Sequence, residues 1–458
     1  MHITPARRGA SIESRPRTDR DSVSAVRRPA NPNGDTLATF AGDARLDGAE
    51  APATGPNTSN RRTARVAALR APSGLRRSNG EVRGGAREGA MPGFDDWFAE
   101  LRDPRGLNAR RHDLWEILMI ALCAVLSGGQ TAVDMAVFAE AKQEFLGNFL
   151  QLKNGVPSHD TFSRVFRQLD PDQFRACFQR FMARFSETST GVIAIDGKVL
   201  RRPLDPAHRG SALHMISAWC CDTRLVLAQI ATTAKTKEST AVVELLEMLA
   251  LRGRIVTTDA LNCQRDIGQR IISQGGDYVL ALKGNHHALH ADVIRLFAAP
   301  EHEKAASHST LDNDHGRSET RTSLVSTDID RLQMRHQWPG LAAVGRVVRT
   351  RATTGKTAPR TTTETAYYLL STPLSPERLG QVARSHWGVE NRLHWVLNAV
   401  MNEDQVRSRM DNSPYNLAIL RHMALNLMHK DRSKVSLRGK FNLAAWKEDF
   451  LAKLLAQA

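Results

Sequence analysis

Two short apolar runs in this chain end the same way, and together they limit the fold more than any other feature. In "GVIAIDGKVLRR", Val192, Ile193, Ala194 and Ile195 lead into Asp196 and then Gly197. In "GRIVTTDALNCQ", Ile255 and Val256 lead to Asp259, and a helix starts near Asn262. A short apolar run closed by a polar residue and a turn signal is the pattern of a buried strand, with the polar residue at the sheet's rim. Glu238 to Leu251 lies between the two runs and has helical character, and "GDYVLALKGNH" supplies a further core strand that ends in Lys283. Strand, helix, strand, helix predicts a mostly parallel or mixed sheet with helices packed on it. "HMISAWCCD" and "RLVLAQIATT" add strands to it.

A third acid stands elsewhere. "HWGVENRLHWVLNAVMNEDQ", His386 to Gln405, has helical spacing, with Leu393, Val396, Leu397 and Val400 on one face. His386, Glu390, His394 and Asn398 follow one another at steps of four, a polar ridge flanked by Trp387 and Trp395. Each acid has an ordinary explanation. Asp259 could cap a helix, Asp196 could belong to a turn, and Glu390 could pair with Arg392 or Arg384. Three such acids in one basic chain point instead to a shared site.

The formal charge is +15 and the pI is near 10, which suits an anionic polymer or a membrane surface as partner better than a small neutral substrate. No run is long enough to span a bilayer, and no basic-then-apolar signal segment opens the chain. Cys123, Cys177, Cys220, Cys221 and Cys263 form no C-x-x-C pair, which predicts reduced core residues and a cytoplasmic protein.

Residues 1–90 differ in kind. They hold sixteen Arg, nine acidic residues, one Phe and no Lys, Trp, Tyr or Cys, a net of +7. Such a segment cannot bury enough apolar surface to offset its ordering entropy, so we expect a disordered extension. It is either a basic arm with non-specific DNA affinity or an over-long reading frame, with globular text starting at Met91. Residues 91–188 are expected to form a small all-α module. "HDLWEILMIALCAVLSGG" is a strongly apolar helix that stops at a Gly pair, and "TAVDMAVFAEAKQEFLGNFL" is a second helical run. In "NGVPSHDTFSRVFRQL", Ser158 is placed to cap a helix whose Phe162, Phe166 and Leu169 point one way. Arg164 and Arg167 point another, as in a DNA-reading helix or any basic surface helix.

Asp196, Asp259 and Glu390 brought together would make a hard-oxygen site suited to Mg²⁺ or Mn²⁺. Two such ions can clamp the attacking and leaving oxygens of a phosphoryl displacement. Lys198, Arg201, Arg202, Lys283 and Arg384 would then hold a DNA backbone. Trp387 would stack on an unpaired base or anchor its helix in the core, and His394 would orient Glu390 or touch a phosphate. A zinc site from His386, Glu390 and His394 is the rival, although the spacing is not H-E-x-x-H.

"IDGKVLRR", "IVTTDALNCQRDI", "DYVLALKGNH", "RSHWGVENRLHWVLN" and "NEDQVRSRMDNSPYNLAILRHMALNL" resemble the DDE transposases of bacterial insertion sequences, nearest to the ISAs-one group of the IS-four-like enzymes. "LRDPRGLNARRHDLWEIL" and "NGVPSHDTFSRVF" resemble that group's N-terminal module, so the likeness runs from about 94 to 430. It implies an α/β, RNase H-like mixed sheet with flanking helices in 189–430, and a C-terminal tail at 431–458. By matching motif, it implies that Asp196, Asp259 and Glu390 are both the catalytic acids and the ligands of two Mg²⁺ or Mn²⁺ ions. Lys198, Arg201, Arg202, Lys283, Arg384, His386, Trp387, His394, Arg164 and Arg167 are the expected DNA contacts. The implied partners are the element's terminal inverted repeats and target DNA, with a homodimer in the synaptic complex at the nucleoid. Asp259 and Glu390 are 131 residues apart, and "RSETRTSLVST", "AAVGRVVRTRAT" and "TTTETAYYLLST" fill residues 300–372 with strand text. We expect a β-rich insertion there, as the resemblance implies, with more of the central sheet as the ordinary alternative.

The chain departs from the resemblance in places. The Tyr, Arg and Lys expected around the Glu are Ala383, His386 and Leu397, and "KTKEST" (Lys235 to Thr240) replaces an expected "KSNE". Asn398 stands where an Asp is expected, and Asn supplies no negative charge. A catalytically decayed DNA-binding relic, or another RNase H-like nuclease such as a resolvase, is therefore the alternative to an active transposase.

Overall fold

The computed structural model describes residues 94–183, 185, 191–200, 213–232, 238–302, 306–314, 317–353 and 360–457. The Arg-rich extension, Arg201, Arg202 and Lys235 to Lys237 of "KTKEST" lie outside them.

Nine strands form one sheet: β1 Gly191–Val199, β2 His214–Cys220, β3 Val226–Thr232, β4 Arg254–Thr258, β5 Asp277–Leu282, β6 Ser307–Asp314, β7 Arg317–Ser326, β8 Ala343–Thr353 and β9 Arg360–Leu370. Their order is β3-β2-β1-β4-β5-β9-β8-β7-β6. β1, β4 and β5 run parallel, and every other pairing is antiparallel. The apolar runs found in the sequence are the centre of this sheet. Val192 to Ile195 are buried on both faces, as expected where helices cover a parallel core. The strands after residue 300 continue the sheet, since β9 pairs with β5 from Val279↔Leu370 to Leu282↔Tyr367. The strand text of residues 300–372 is thus joined to the central sheet through β5 and β9.

The helix Leu114–Leu126 is buried along almost its whole length, and Asp113 caps it by accepting from the backbone N–H of Trp115. Ser158 occupies the N-cap of His159–Gln168, but its hydroxyl meets Thr161 Oγ1 at 3.3 Å instead of a backbone N–H. The helix Ser413–Lys430 packs at once on Leu114–Leu126, His159–Gln168, Pro171–Ala183 and β3. Its polar residues serve this role. Asn416 Nδ2 donates to the carbonyls of Phe166 and Leu169. The Asn426 amide accepts from Val226 N–H and donates to Val226 O, both at 2.9 Å, so the edge strand β3 keeps its hydrogen bonds. The helices of the N-terminal segment and the sheet therefore share one core. The residues expected as a tail include two further helices, Leu437–Trp446 and Glu448–Leu455. Their Lys440 and Lys453 meet the fully buried carboxylate of Asp431. All five cysteines are buried and free. Among the described residues no helix is long and apolar enough to cross a membrane.

Candidate active site

In the parallel pair β1–β4, Ile195 lies opposite Thr258, so the next residues out along the two chains are Asp196 and Asp259. Two carboxylates thus stand side by side just beyond the last residue pair of the β1–β4 ladder. β4 stops there, while β1 continues to Val199 paired with β2.

Glu390 reaches the same rim from above. The helix Pro376–His386 lies on β1, β4 and β6–β8. Just beyond it Gly388 sits so close to the buried Trp219 ring of β2 that a Cβ would stand 3.0 Å from it. A side chain there would require the Trp219 ring or the backbone to give by a few tenths of an ångström. The chain then takes a π-helical turn, Val389–His394, before returning to α-helix at Trp395–Ala399. The sequence suggested one unbroken α-helix with a ridge at steps of four. The wider turn breaks that ridge, and turns of this kind occur mostly as single insertions, often at functional sites.

The electrostatics record the convergence. The Asp196 carboxyl is pushed up to about 7, first by burial, then by the Asp259 charge, with smaller contributions from Glu390 and Glu238, against a lowering bond from the Gly197 N–H. Glu390 is open to solvent, and the partial burial of its carboxyl raises it as well. Asp259 Oδ1 accepts from the Asn262 N–H at 3.1 Å and from Asn262 Nδ2 at 3.0 Å.

Two histidines border the acids, and both are neutral. His386 Nδ1 meets Thr257 Oγ1 at 2.7 Å, and burial holds the ring down to about 4. His394 Nδ1 lies 3.5 Å from Asp196 Oδ2, and burial, followed by the Lys198 charge, holds that ring down to about 4. His394 therefore faces Asp196, not Glu390 as the sequence suggested. Among the described residues no three His, Cys, Asp or Glu side chains are gathered closely enough to hold a metal ion. This applies equally to His386, Glu390 and His394 and to Asp196, Asp259 and Glu390: neither set is closed into a ligand cluster, although Asp196 feels the charges of both other acids.

The expected DNA contacts divide. Lys283 is exposed directly after β5, beside β4 in the sheet. Arg384 is exposed and pairs with Asp312 of β6. Trp387 is 48% exposed, so it is no core anchor, and the Arg349 guanidinium lies over its ring at 5.6 Å. Arg164 is exposed on His159–Gln168, while Arg167 Nε pairs with Asp411 Oδ2 at 2.7 Å. Lys198 requires a correction. It is buried, pairs with Glu403, and lies 3.2 Å from Asp404 Oδ1, with Arg421 3.9 Å from the other oxygen of Glu403. An ammonium held inside by two carboxylates is not available to a phosphate. Two residues were missed as parts of the site. The fully buried Asn262 was visible only as a helix start, and the nearly buried Glu238 only as a remnant of a motif. The available signal was an Asn three residues after the strand-end Asp.

Residues 187–427 match the family model described as "Transposase DDE domain", and residues 96–182 match the model described as "DDE_Tnp_1-associated". The chain belongs to the DDE transposase family. It is 38% identical to the "H repeat-associated putative transposase YhhI" of Escherichia coli (strain K12), over 75% of this chain and 93% of that protein. It is 34% identical to the "Putative transposase YncI" of Escherichia coli O157:H7, over 73% and 86%. A piggyBac transposase, solved as a synaptic complex with hairpin DNA, aligns at TM-score 0.36 and 12% identity, over 79% of this chain and 77% of that one, too distant to carry an argument. Family membership implies a DNA-cleaving enzyme that uses divalent metal ions. The donors in this transposase fit such an ion in kind: they are hard oxygens, with Asp196 held up by burial first and then by the like charge of Asp259 and Glu390. A divalent cation would relieve that repulsion.

Proposed function

We propose that this chain is the transposase of an insertion sequence of the ISAs-one group, with an RNase H-like catalytic core. It would bind the element's terminal inverted repeats, cleave the DNA there and join the freed end to target DNA. The observation that carries the reading is the register of the parallel pair β1–β4, which sets Asp196 beside Asp259; the raised Asp196 carboxyl, lifted first by burial and then by Asp259 and Glu390, agrees with it. The order β3-β2-β1-β4-β5, with β2 alone antiparallel to the other four, supports the RNase H-like core.

Asp196 and Asp259 would hold one Mg²⁺ or Mn²⁺ ion, and Asp196 and Glu390 a second. Bound there, such ions activate water and neutralise charge on a phosphodiester. The chain's own groups position the DNA and the acids. Neutral His394 packs against Asp196 without adding a charge that would compete with a cation. Lys283 and Arg384 hold the backbone on either side of the rim, and exposed Trp387 stacks on a base, worth about 1–3 kcal/mol. Water opens the phosphodiester at the repeat boundary, and the released 3′-hydroxyl then attacks a target phosphodiester at the same site. Two ends cut together call for a homodimer, acting on the nucleoid in the cytoplasm. Alanine at Asp196, Asp259 or Glu390 should abolish metal-dependent nicking of a repeat-bearing duplex and leave duplex binding within about threefold, since few phosphate contacts are lost. Nicking retained in Asp196→Ala would overturn the assignment.

One observation favours a second reading, a copy that binds and no longer cuts. The Asn398 Oδ1 is buried without a hydrogen-bond partner among the described residues, where the resemblance implies an Asp. An unsatisfied buried acceptor costs about 1–3 kcal/mol. Under this reading the wild-type chain binds the repeat without nicking it and Asn398→Asp restores cutting. Nicking by the wild-type chain would dismiss it.

A further inference from the structure

Asp259 is held by a buried relay. Asn262 Nδ2 donates to Asp259 Oδ1 at 3.0 Å and to Glu238 Oε1 at 3.1 Å, while the Asn262 N–H donates again to Asp259 Oδ1 at 3.1 Å. Asn262 is fully buried, and Glu238 is 7% exposed. Glu238 opens the helix Glu238–Glu247, which packs on β2, β3 and the helix Arg265–Ser273. A Glu in a first helical turn is ordinarily a solvated partner of the helix dipole. This one is turned inward. Its Oε1 lies 2.9 Å from where a Cβ on Gly197 would stand, so the residue beside Asp196 must lack a side chain for Glu238 to sit there. Helix capping does not explain why this Glu turns inward to accept from Asn262.

The relay ties down one oxygen of Asp259. Both donors of Asn262 converge on Oδ1, and neither touches Oδ2. The Asp259 rotamer is thereby set by a residue that is itself set by Glu238. We propose that Glu238 is a positioning residue of the active site: through Asn262 it fixes Asp259 so that Oδ2 is presented to a divalent cation. The inference rests on the reading of Asp259 as a metal ligand. Residues behind a metal ligand typically matter by about 10–100-fold in metal affinity or activity.

The test uses the full chain with Glu238→Ala, Glu238→Gln, Asn262→Ala and the double variant Glu238→Ala/Asn262→Ala. Three readouts are taken: Mn²⁺ binding to metal-free protein by electron paramagnetic resonance, nicking of a repeat-bearing duplex, and thermal unfolding. Glu238→Ala and Asn262→Ala should each weaken Mn²⁺ binding and nicking by about tenfold or more. The double variant should be no worse than either single one, because both break the same relay. Glu238→Gln keeps an oxygen that accepts from Asn262 and should stay within about threefold of wild type on both readouts. Thermal unfolding separates these losses from global unfolding. Losses that multiply in the double variant would overturn the relay. So would wild-type Mn²⁺ binding in both alanine variants, or a Gln variant as damaged as the Ala variant, which would make the charge itself the active element. If the wild type binds Mn²⁺ but does not nick, and the variants lose binding as described, the relay stands and the transposase reading falls. If the wild type nicks and the variants are unaffected, the reverse holds.

Discussion

Asp196 carries the largest thermodynamic consequence of any single residue at the site. Its carboxyl sits near 7 in the folded chain against 3.8 for an ordinary Asp, so the folded state binds a proton more tightly than the unfolded state. A raised acid contributes no penalty below pH 4. Its destabilisation grows as pH rises from about 4 to about 7 and is complete above that, on the order of a few kcal/mol. The buried neutral His386 and His394 act in the opposite sense, costing stability as pH falls below about 6.5, so the Asp196 effect is read as the difference in melting between Asp196→Asn and wild type, which should be larger at pH 8 than at pH 5.5. Added Mg²⁺ should stabilise at pH 8 and little at pH 5.5. Thermal scans at the two pH values check this, and equal melting of wild type and Asp196→Asn at both would count against it. Lys198 offers a second residue-scale test. Breaking its buried pair with Glu403 by Lys198→Met should cost about 3–5 kcal/mol of stability, since it leaves buried charge uncompensated. It should leave the salt dependence of DNA binding unchanged. A shallower salt slope with normal stability would return Lys198 to the DNA surface. The two aspartates were legible because each follows an apolar core run; for Asp259 this also marked the strand's end, whereas β1 runs on past Asp196 to Val199. The burial of Lys198 was not, because its partners lie about 205 residues away in the chain.

At the scale of elements, the π turn Val389–His394 decides where Glu390 points. Removing one residue from it, for example by deleting Asn391, should restore α-helical register and turn the residues on either side by about 100° relative to each other. Nicking should fall below detection while the melting temperature moves by only a few degrees and duplex binding persists. A deletion variant that still nicks would show that the wide turn is not needed. Hydrophobic periodicity revealed the helix because Leu393, Val396 and Leu397 are buried at near-helical spacing. It cannot reveal an extra residue within one turn, since a single insertion hardly disturbs the apolar pattern. The strands after residue 300 were likewise visible as strands, but not as neighbours of β5. The β5–β9 pairing joins residues about 90 apart, and alternation within a strand does not name its partner.

At the scale of the whole molecule, the helix Ser413–Lys430 joins the N-terminal helices to the sheet in one core. Composition gave each part a separate look and did not show that a C-terminal helix, buried nearly all round, sits between them. The cluster of acids at the rim lies in a chain of net charge +15, so the repulsion felt by Asp196 is local and survives in a basic protein. This contrast suits an enzyme that attracts a polyanion over its surface and a divalent cation at one spot. The most direct test is cleavage of a duplex carrying the element's inverted repeat by the full chain, with Mg²⁺, Mn²⁺ or EDTA. We expect nicks at the repeat boundary with either metal and none with EDTA. Cutting that persists in EDTA, or binding to the repeat with no cutting under any metal, would contradict an active transposase whose site is made by Asp196, Asp259 and Glu390.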